Sequence, residues 1–397
     1  MIPQLRHDFN QRFRPEAYRR MLHSLDACVR THVGFRIAET PCFFPKILLE
    51  EMAAIGIEII EQLVNDKEYL RASRAAIPPE CRAADEAPHP HFVAADFGLA
   101  RGADGKLTPR LIGMHASPVA IGFQFVLNEL YRSAFELDAQ LGYLLGGHTE
   151  LSFWKLVERV VQRGHHPEHV VLGGIGLERQ KFFPDVVVMA ERLGVDIADL
   201  TELEPDIVPG RPPRLCYRKG HRRMPVYRIY NYTNPGELGC GQVDLPFDFR
   251  DSFAVEWAGH PNWSFHISPF SIPFLDHPAV LPAVFLDEWL AGKGREHLPE
   301  DRRKVALKRI SPIGHHDSVH APSDKMLREI PKAERKNYLL QQYVSFEEGI
   351  DTPRGKARPE IRILYLWPDG GHPEPVVPQI RIVDTQEWAG VSAGFYC

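Results

Sequence analysis

The residues KVALKRISPIGHHDSVHAP, at 304–322, concentrate the chemistry of this chain. An apolar strand delivers Lys308, a turn containing Gly314 follows, and polar residues run from Ser311 to Ser318. A strand lysine facing a loop of exposed backbone N–H groups suits a phosphate chain: the ammonium is a point charge and the loop donates hydrogen bonds. The plainer alternative is an edge-strand lysine before an ordinary turn, and such turns are common. Further along, NYLLQQYVSFEEG carries an apolar strand into Gln341, Gln342, Tyr343 and Val344, then Glu347 and Glu348. A strand end of this kind can offer backbone groups to an adenine edge and a carboxylate to ribose hydroxyls. It can equally be an amphipathic strand with a solvated acidic turn. PEIRILYLWPDGG and VVPQIRIVDTQ each set an arginine, Arg362 and Arg381, inside an apolar strand. A guanidinium there is costly to bury unless paired, so the two imply a shared anionic partner or a solvated sheet face.

Histidine offers a second kind of chemistry. The chain has 19, including His89, His91, His165, His166, and the group His315, His316, Asp317 and His320 in the loop after Lys308. That group could hold a metal or phosphate, but there is no HExxH or comparable ligand spacing, which argues against a dedicated transition-metal site. The six cysteines, Cys28, Cys42, Cys81, Cys216, Cys240 and Cys397, form no CxxC pair, which removes zinc-ribbon and thioredoxin readings. They fit free thiols in a reducing compartment.

The elements that must position these residues follow from pattern. Residues 15–75 read as helical, with Pro15 suited to a first turn. The Pro-rich stretch 77–91 is a loop. HFVAADFGLARGADGKLTPRLIGMHASP reads as a hairpin turning at Asp104-Gly105. Residues 121–143 read as helix. Residues 151–205 alternate helix and strand, with helices closed by Gly164 and Gly194, as one unit of an open α/β sheet. PVYRIYNY is β-rich, the Trp- and Pro-rich run EWAGHPNWSFHISPFSIPF reads as a packed crossover, and LPAVFLDEWLAGKG reads as a helix. The last hundred or so residues are mostly strands.

Composition bounds the class. An apolar fraction of 44% with 25% charged residues predicts a packed core. A net charge of −5 points to neither nucleic acid nor an anionic membrane. The N-terminal MIPQLRHDFNQRFRPEAYRR has no apolar h-region, and no apolar run approaches the ~18 residues of a membrane span. A cytoplasmic setting is the expectation.

Taken in order, the strand lysine, the Gly-containing loop, the Gln-Gln-Tyr-Val hinge and the arginine-bearing strands resemble the ATP-grasp superfamily. The similarity is to the synthetase portion of glutathionylspermidine synthase and its relatives, over roughly residues 90 to 397. The resemblance implies an α/β (α+β) fold: a helical N-terminal part with a metal-ligand hairpin (1–150), a Rossmann-like unit (151–255) and the lysine/hinge portion of the ATP-grasp core (256–397). The core is assembled from distant chain segments. It also implies ATP and Mg2+ as cofactors, and small-molecule acid and amine substrates. Lys308 would hold the phosphates, the loop with Ser311, Gly314 and Ser318 would close over them, and Gln342, Tyr343 and Val344 would hold the adenine, with Glu347 beside the ribose. Arg381, with Arg362, would stabilise the acyl-phosphate, and Asp96 would ligate magnesium.

Three positions depart from that pattern, and at one of them Ser268 or Pro269 takes the place of the family's second lysine before the apolar helix. Gly113 stands where the family has the glutamate of Glu-x-Asn, and His115 where it has the asparagine. Glycine cannot ligate, and magnesium prefers oxygen to imidazole. Asp384 and Glu387 are possible replacements. Three readings therefore stand: an ATP-dependent carboxylate–amine ligase, a relative that binds a nucleotide or a partner without ligation, and a metal-dependent hydrolase built on the histidine loop.

Overall fold

Alternation of side chains along RPEIRILYL organises the molecule. The computed structural model describes residues 1–102, 105–117, 120–233, 243–310, 318–347, 349–352, 355–383 and 388–397. The chain opens with α1 (Pro3–Arg12), α2 (Pro15–Val29), β1 (Cys42–Phe44), α3 (Lys46–Asn65) and α4 (Lys67–Ala76). The hairpin β2 (Phe92–Arg101) and β3 (Leu107–His115) follows, then α5 (Ile121–Ala134) and α6 (Glu150–Gln162). Next come β4 (Val170–Gly174), α7 (Phe183–Leu193), β5 (Asp196–Asp199), β6 (Glu204–Asp206), β7 (Arg214–Lys219), β8 (Arg222–Val226), β9 (Arg228–Asn231) and β10 (Glu256–Ala258). After the short helix α8 (Trp263–His266) come β11 (Ala283–Phe285), α9 (Leu286–Leu290), β12 (Val305–Arg309), β13 (Ser318–His320), α10 (Asp324–Glu329) and β14 (Tyr338–Gln342). The chain closes with β15 (Ile350–Thr352), β16 (Gly355–Leu366), β17 (Glu374–Val383) and β18 (Trp388–Tyr396).

The central sheet has the order β1-β18-β17-β16-β2-β3, with β15 also on β16. It joins the two ends of the sequence, as β2 lies antiparallel to β16 and β1 parallel to β18. One face is apolar: Ile361, Ile363, Ile380 and Ile382 pack beneath Met52 and Ile59 of α3. Burial of each such side chain contributes about 1.5–3 kcal/mol. Gly56 of α3 is required there, because a Cβ would collide with the Tyr365 hydroxyl, which donates to the Ala53 carbonyl at 3.1 Å. The opposite face is split. At one end Phe92, Ala94, Leu364 and Leu366 join the core shared with α2, α5, α6 and α7. At the other end the same face carries Asp96, Arg358, Glu360 and Arg362, all half-buried.

Three strands from the stretch 151–255 form a parallel sheet with β10, in the order β10-β9-β4-β5. Its α7 supplies Asp185, fully buried, which accepts from the Phe123 N–H at 2.8 Å and from the Tyr232 hydroxyl at 2.7 Å. Asp185 thus satisfies a donor in the first turn of α5 that no intrahelical carbonyl reaches. A third unit is the antiparallel sheet β11-β14-β12-β13, and a small sheet β6-β7-β8 completes the set.

Some sequence expectations shift. The helix predicted over 281–294 is a strand, β11, followed by the five-residue α9, because Ala283–Phe285 find open pairing positions on β14. Local helical pattern loses there to a ladder made with residues far along the chain. The helix ahead of Gly164 ends at Gln162, with Arg163 itself left-handed at φ 51°. The helical region 15–75 is interrupted by β1, and the helix expected over 121–143 ends at Ala134. The tryptophan-rich crossover is packed, with Trp263 and Ile267 buried. Among the described residues, no helix is long and apolar enough to cross a membrane, and five cysteines are free thiols.

Candidate functional site

The site lies where the β11-β14-β12-β13 sheet meets the charged end of the central sheet. Strand alternation in β12 sends Val305 and Leu307 into a core with Trp289, Leu298 and Leu340. Lys308 therefore points the other way. Its Nζ reaches the Ile112 carbonyl of β3 at 3.3 Å. That carbonyl is available because β3 bulges: Asp96 pairs with Gly113 and Phe97 with Leu111, leaving Ile112 as the extra residue. Burial pushes the Lys308 ammonium down to about 8, against the pull of Glu360.

Across the cleft, Asp96 and Arg362 are directly opposed in the β2–β16 ladder. Arg362 Nε donates to Asp96 Oδ1 at 2.6 Å and Nη2 to Oδ2 at 2.8 Å, a two-point pair. Burial pushes the Asp96 carboxyl up, but Arg362 outweighs it and holds the group at about 2, with smaller help from His115 and Arg381. One step along β16, Glu360 is opposed to Arg381 of β17, with 3.5 Å between Oε2 and Nη1. Arg358 continues the row, its Nε buried with no partner among the described residues.

The β14 end lies beside these groups. Gln342 donates its backbone N–H to the Pro282 carbonyl at 2.8 Å, and Tyr343 to Lys304 at 2.7 Å. Val344 follows, half-buried. The Tyr343 ring stacks at a tilt on His320, with centroids 4.2 Å apart. Phe346 lies against Gly98 of β2, and the Glu347 N–H bonds the Leu99 carbonyl at 2.8 Å. The Glu347 carboxylate pairs with Arg101 at 2.5 Å, so it is engaged by a side chain rather than set apart for a ribose. Ser318 sits opposite Lys308 in the β12–β13 ladder and is exposed.

The structure thus brings Lys308, Asp96, Arg362 and Arg381 together, with Gln342 to Glu347 on the adjoining strand end. Ser311, Gly314, His315, His316, Asp317, Glu348, Asp384 and Glu387 lie outside the described residues, as does Asp104 of the hairpin turn. Sequence reasoning missed Glu360, Arg358 and the Ile112 carbonyl. The first two were signalled by the period of two in Arg358, Glu360 and Arg362, which puts all three on one face. The bulge had no local signal.

A divalent ion fits the described residues poorly. Both Asp96 oxygens are on Arg362, the residue opposite is Gly113, and His115 meets Ser117 Oγ through Nδ1 at 2.9 Å. Among the described residues no group of three or more His, Cys, Asp or Glu could hold a metal.

No family model matches the sequence, and no curated protein does. A solved structure does match: a glutathione synthetase-like effector from Globodera pallida in its apo form, with a TM-score of 0.62 over 97% of this chain and 98% of that one. The chain shares its fold with that glutathione synthetase-like effector. At 12% identity the likeness is one of architecture. In this chain β2 and β16, far apart in sequence, form one sheet.

Proposed function

We propose that the chain binds a nucleoside di- or triphosphate between its two antiparallel sheets. The observation that carries this reading is Lys308. Its ammonium crosses from the small sheet to the Ile112 carbonyl of the central one and feels Glu360, one of a row of carboxylates and arginines there. An ammonium kept near its ionisation point by burial gains from an anionic phosphate. Gln342 to Val344 are the proposed seat of the base, with Lys308, Arg362 and Arg381 compensating the phosphates. The sheet-over-sheet, glutathione synthetase-like architecture supports the same reading.

Carboxylate–amine ligation through an acyl-phosphate is the second reading. It is supported by two cations on neighbouring strands, Arg362 and Arg381, which could compensate charge on a transferred phosphoryl group. Its substrates would be a small acid and an amine. The Asp96–Arg362 pair weighs toward binding without ligation, since it occupies the carboxylate that the reaction would need for a metal. A cytoplasmic setting fits the free thiols.

Calorimetric titration of the purified protein with a non-hydrolysable ATP analogue tests the main reading, beside Lys308→Ala. Binding that weakens at least about tenfold in the variant supports it. Absence of binding at millimolar analogue overturns it. Phosphate release with acid–amine mixtures decides for ligation.

A further inference from the structure

The charge balance of the cleft is unusual for a site expected to use magnesium. Four cations, Lys308, Arg358, Arg362 and Arg381, stand with two carboxylates, Asp96 and Glu360. Each carboxylate already has a side-chain partner, Asp96 in a two-point pair with Arg362 and Glu360 with Arg381 at 3.5 Å. Gly113, opposite Asp96, adds no ligand. A metal at Asp96 would have to displace a half-buried guanidinium that holds both carboxylate oxygens, and that would leave the guanidinium without its counter-charge.

We propose that this cleft takes its polyphosphate without a divalent ion, Arg362 supplying beside Asp96 the positive charge that a metal supplies in a magnesium-dependent site. The inference rests on the nucleotide reading above. The guanidinium carries five N–H donors in a planar fork. Asp96 engages Nε and Nη2, which fixes the fork and keeps the remaining donors for phosphate oxygens. Arg358, whose buried Nε has no partner among the described residues, adds a further donor in the same row of β16. The ligand class is a nucleotide with two or three phosphates, its charge balanced by ammonium and guanidinium groups alone.

The test is titration of the full chain with ADP and with tripolyphosphate, each in excess EDTA and in excess magnesium. The expected result is binding in EDTA as tight as in magnesium, to within about twofold. Binding that tightens about tenfold or more with magnesium overturns the inference while leaving the nucleotide reading intact. Binding of neither ligand in either condition overturns both. The double variant Asp96→Asn with Arg362→Met removes the pair without stranding a charge, and its fold is checked by thermal melting. Its EDTA affinity for ADP is expected to fall about tenfold. An unchanged affinity in the folded double variant overturns the role of Arg362.

Discussion

Asp96 and Arg362 are 266 positions apart in the sequence and directly opposed in the β2–β16 ladder, joined by two hydrogen bonds of 2.6 and 2.8 Å. The pair ties the N-terminal hairpin to the C-terminal strands at the edge of the candidate site. Asp96→Ala or Arg362→Ala alone is expected to cost about 3–5 kcal/mol of stability, because each strands the other's charge. The double variant is expected to lose less than the sum of the two. Urea unfolding of the four proteins measures this, and additive losses would mean that the pair is not coupled.

The same pair gives an acid limit. The Asp96 carboxyl falls from 3.8 unfolded to about 2 folded, so its contribution is complete above pH 4 or so and is lost as pH drops through about 2. A shift of that size is worth about 2 kcal/mol. Thermal melts across this range are expected to be steeper in pH for the native chain than for Asp96→Asn with Arg362→Met.

Asp185 works in the opposite direction. Burial raises its carboxyl from 3.8 to about 6, against hydrogen bonds from Phe123 and Tyr232. The folded chain then holds a proton that the unfolded chain has released, and stability declines as pH climbs from about 4 to about 6. Asp185→Asn is expected to abolish that slope in melting experiments, whatever its effect on the absolute melting temperature.

Lys308 sets the upper pH limit of anion binding. Its ammonium is lowered from 10.5 to about 8 by burial, so a phosphate ligand is expected to weaken as pH rises through about 8. Lys308→Arg holds its charge throughout. Titrations at a series of pH values should show the fall in the native chain and a flat profile in the variant.

Gly98 admits Phe346, whose ring lies 2.3 Å from where a Cβ would be built. Gly98→Ala is expected to push Phe346 off β2 and to loosen the adjoining Glu347–Arg101 pair. Overpacking of this kind costs about 1–3 kcal/mol. A lowered urea midpoint with weakened analogue binding is the expected outcome, and unchanged binding would separate Phe346 from the site.

What the sequence determined here was local. Alternation in KVALKRI, PEIRILYL and PQIRIVDT placed Lys308, Arg362 and Arg381 on strands, and their order along the chain carried the ATP-grasp resemblance. Alternation says which residues share a face, but not which strand lies alongside. Only the tertiary structure set Asp96 of β2 against Arg362 of β16 and freed the Ile112 carbonyl by a bulge. It alone turned 283–285 into a strand. The reason is physical: register, bulge and cross-strand pairing are fixed by contacts between segments hundreds of residues apart, whose energies no local window contains.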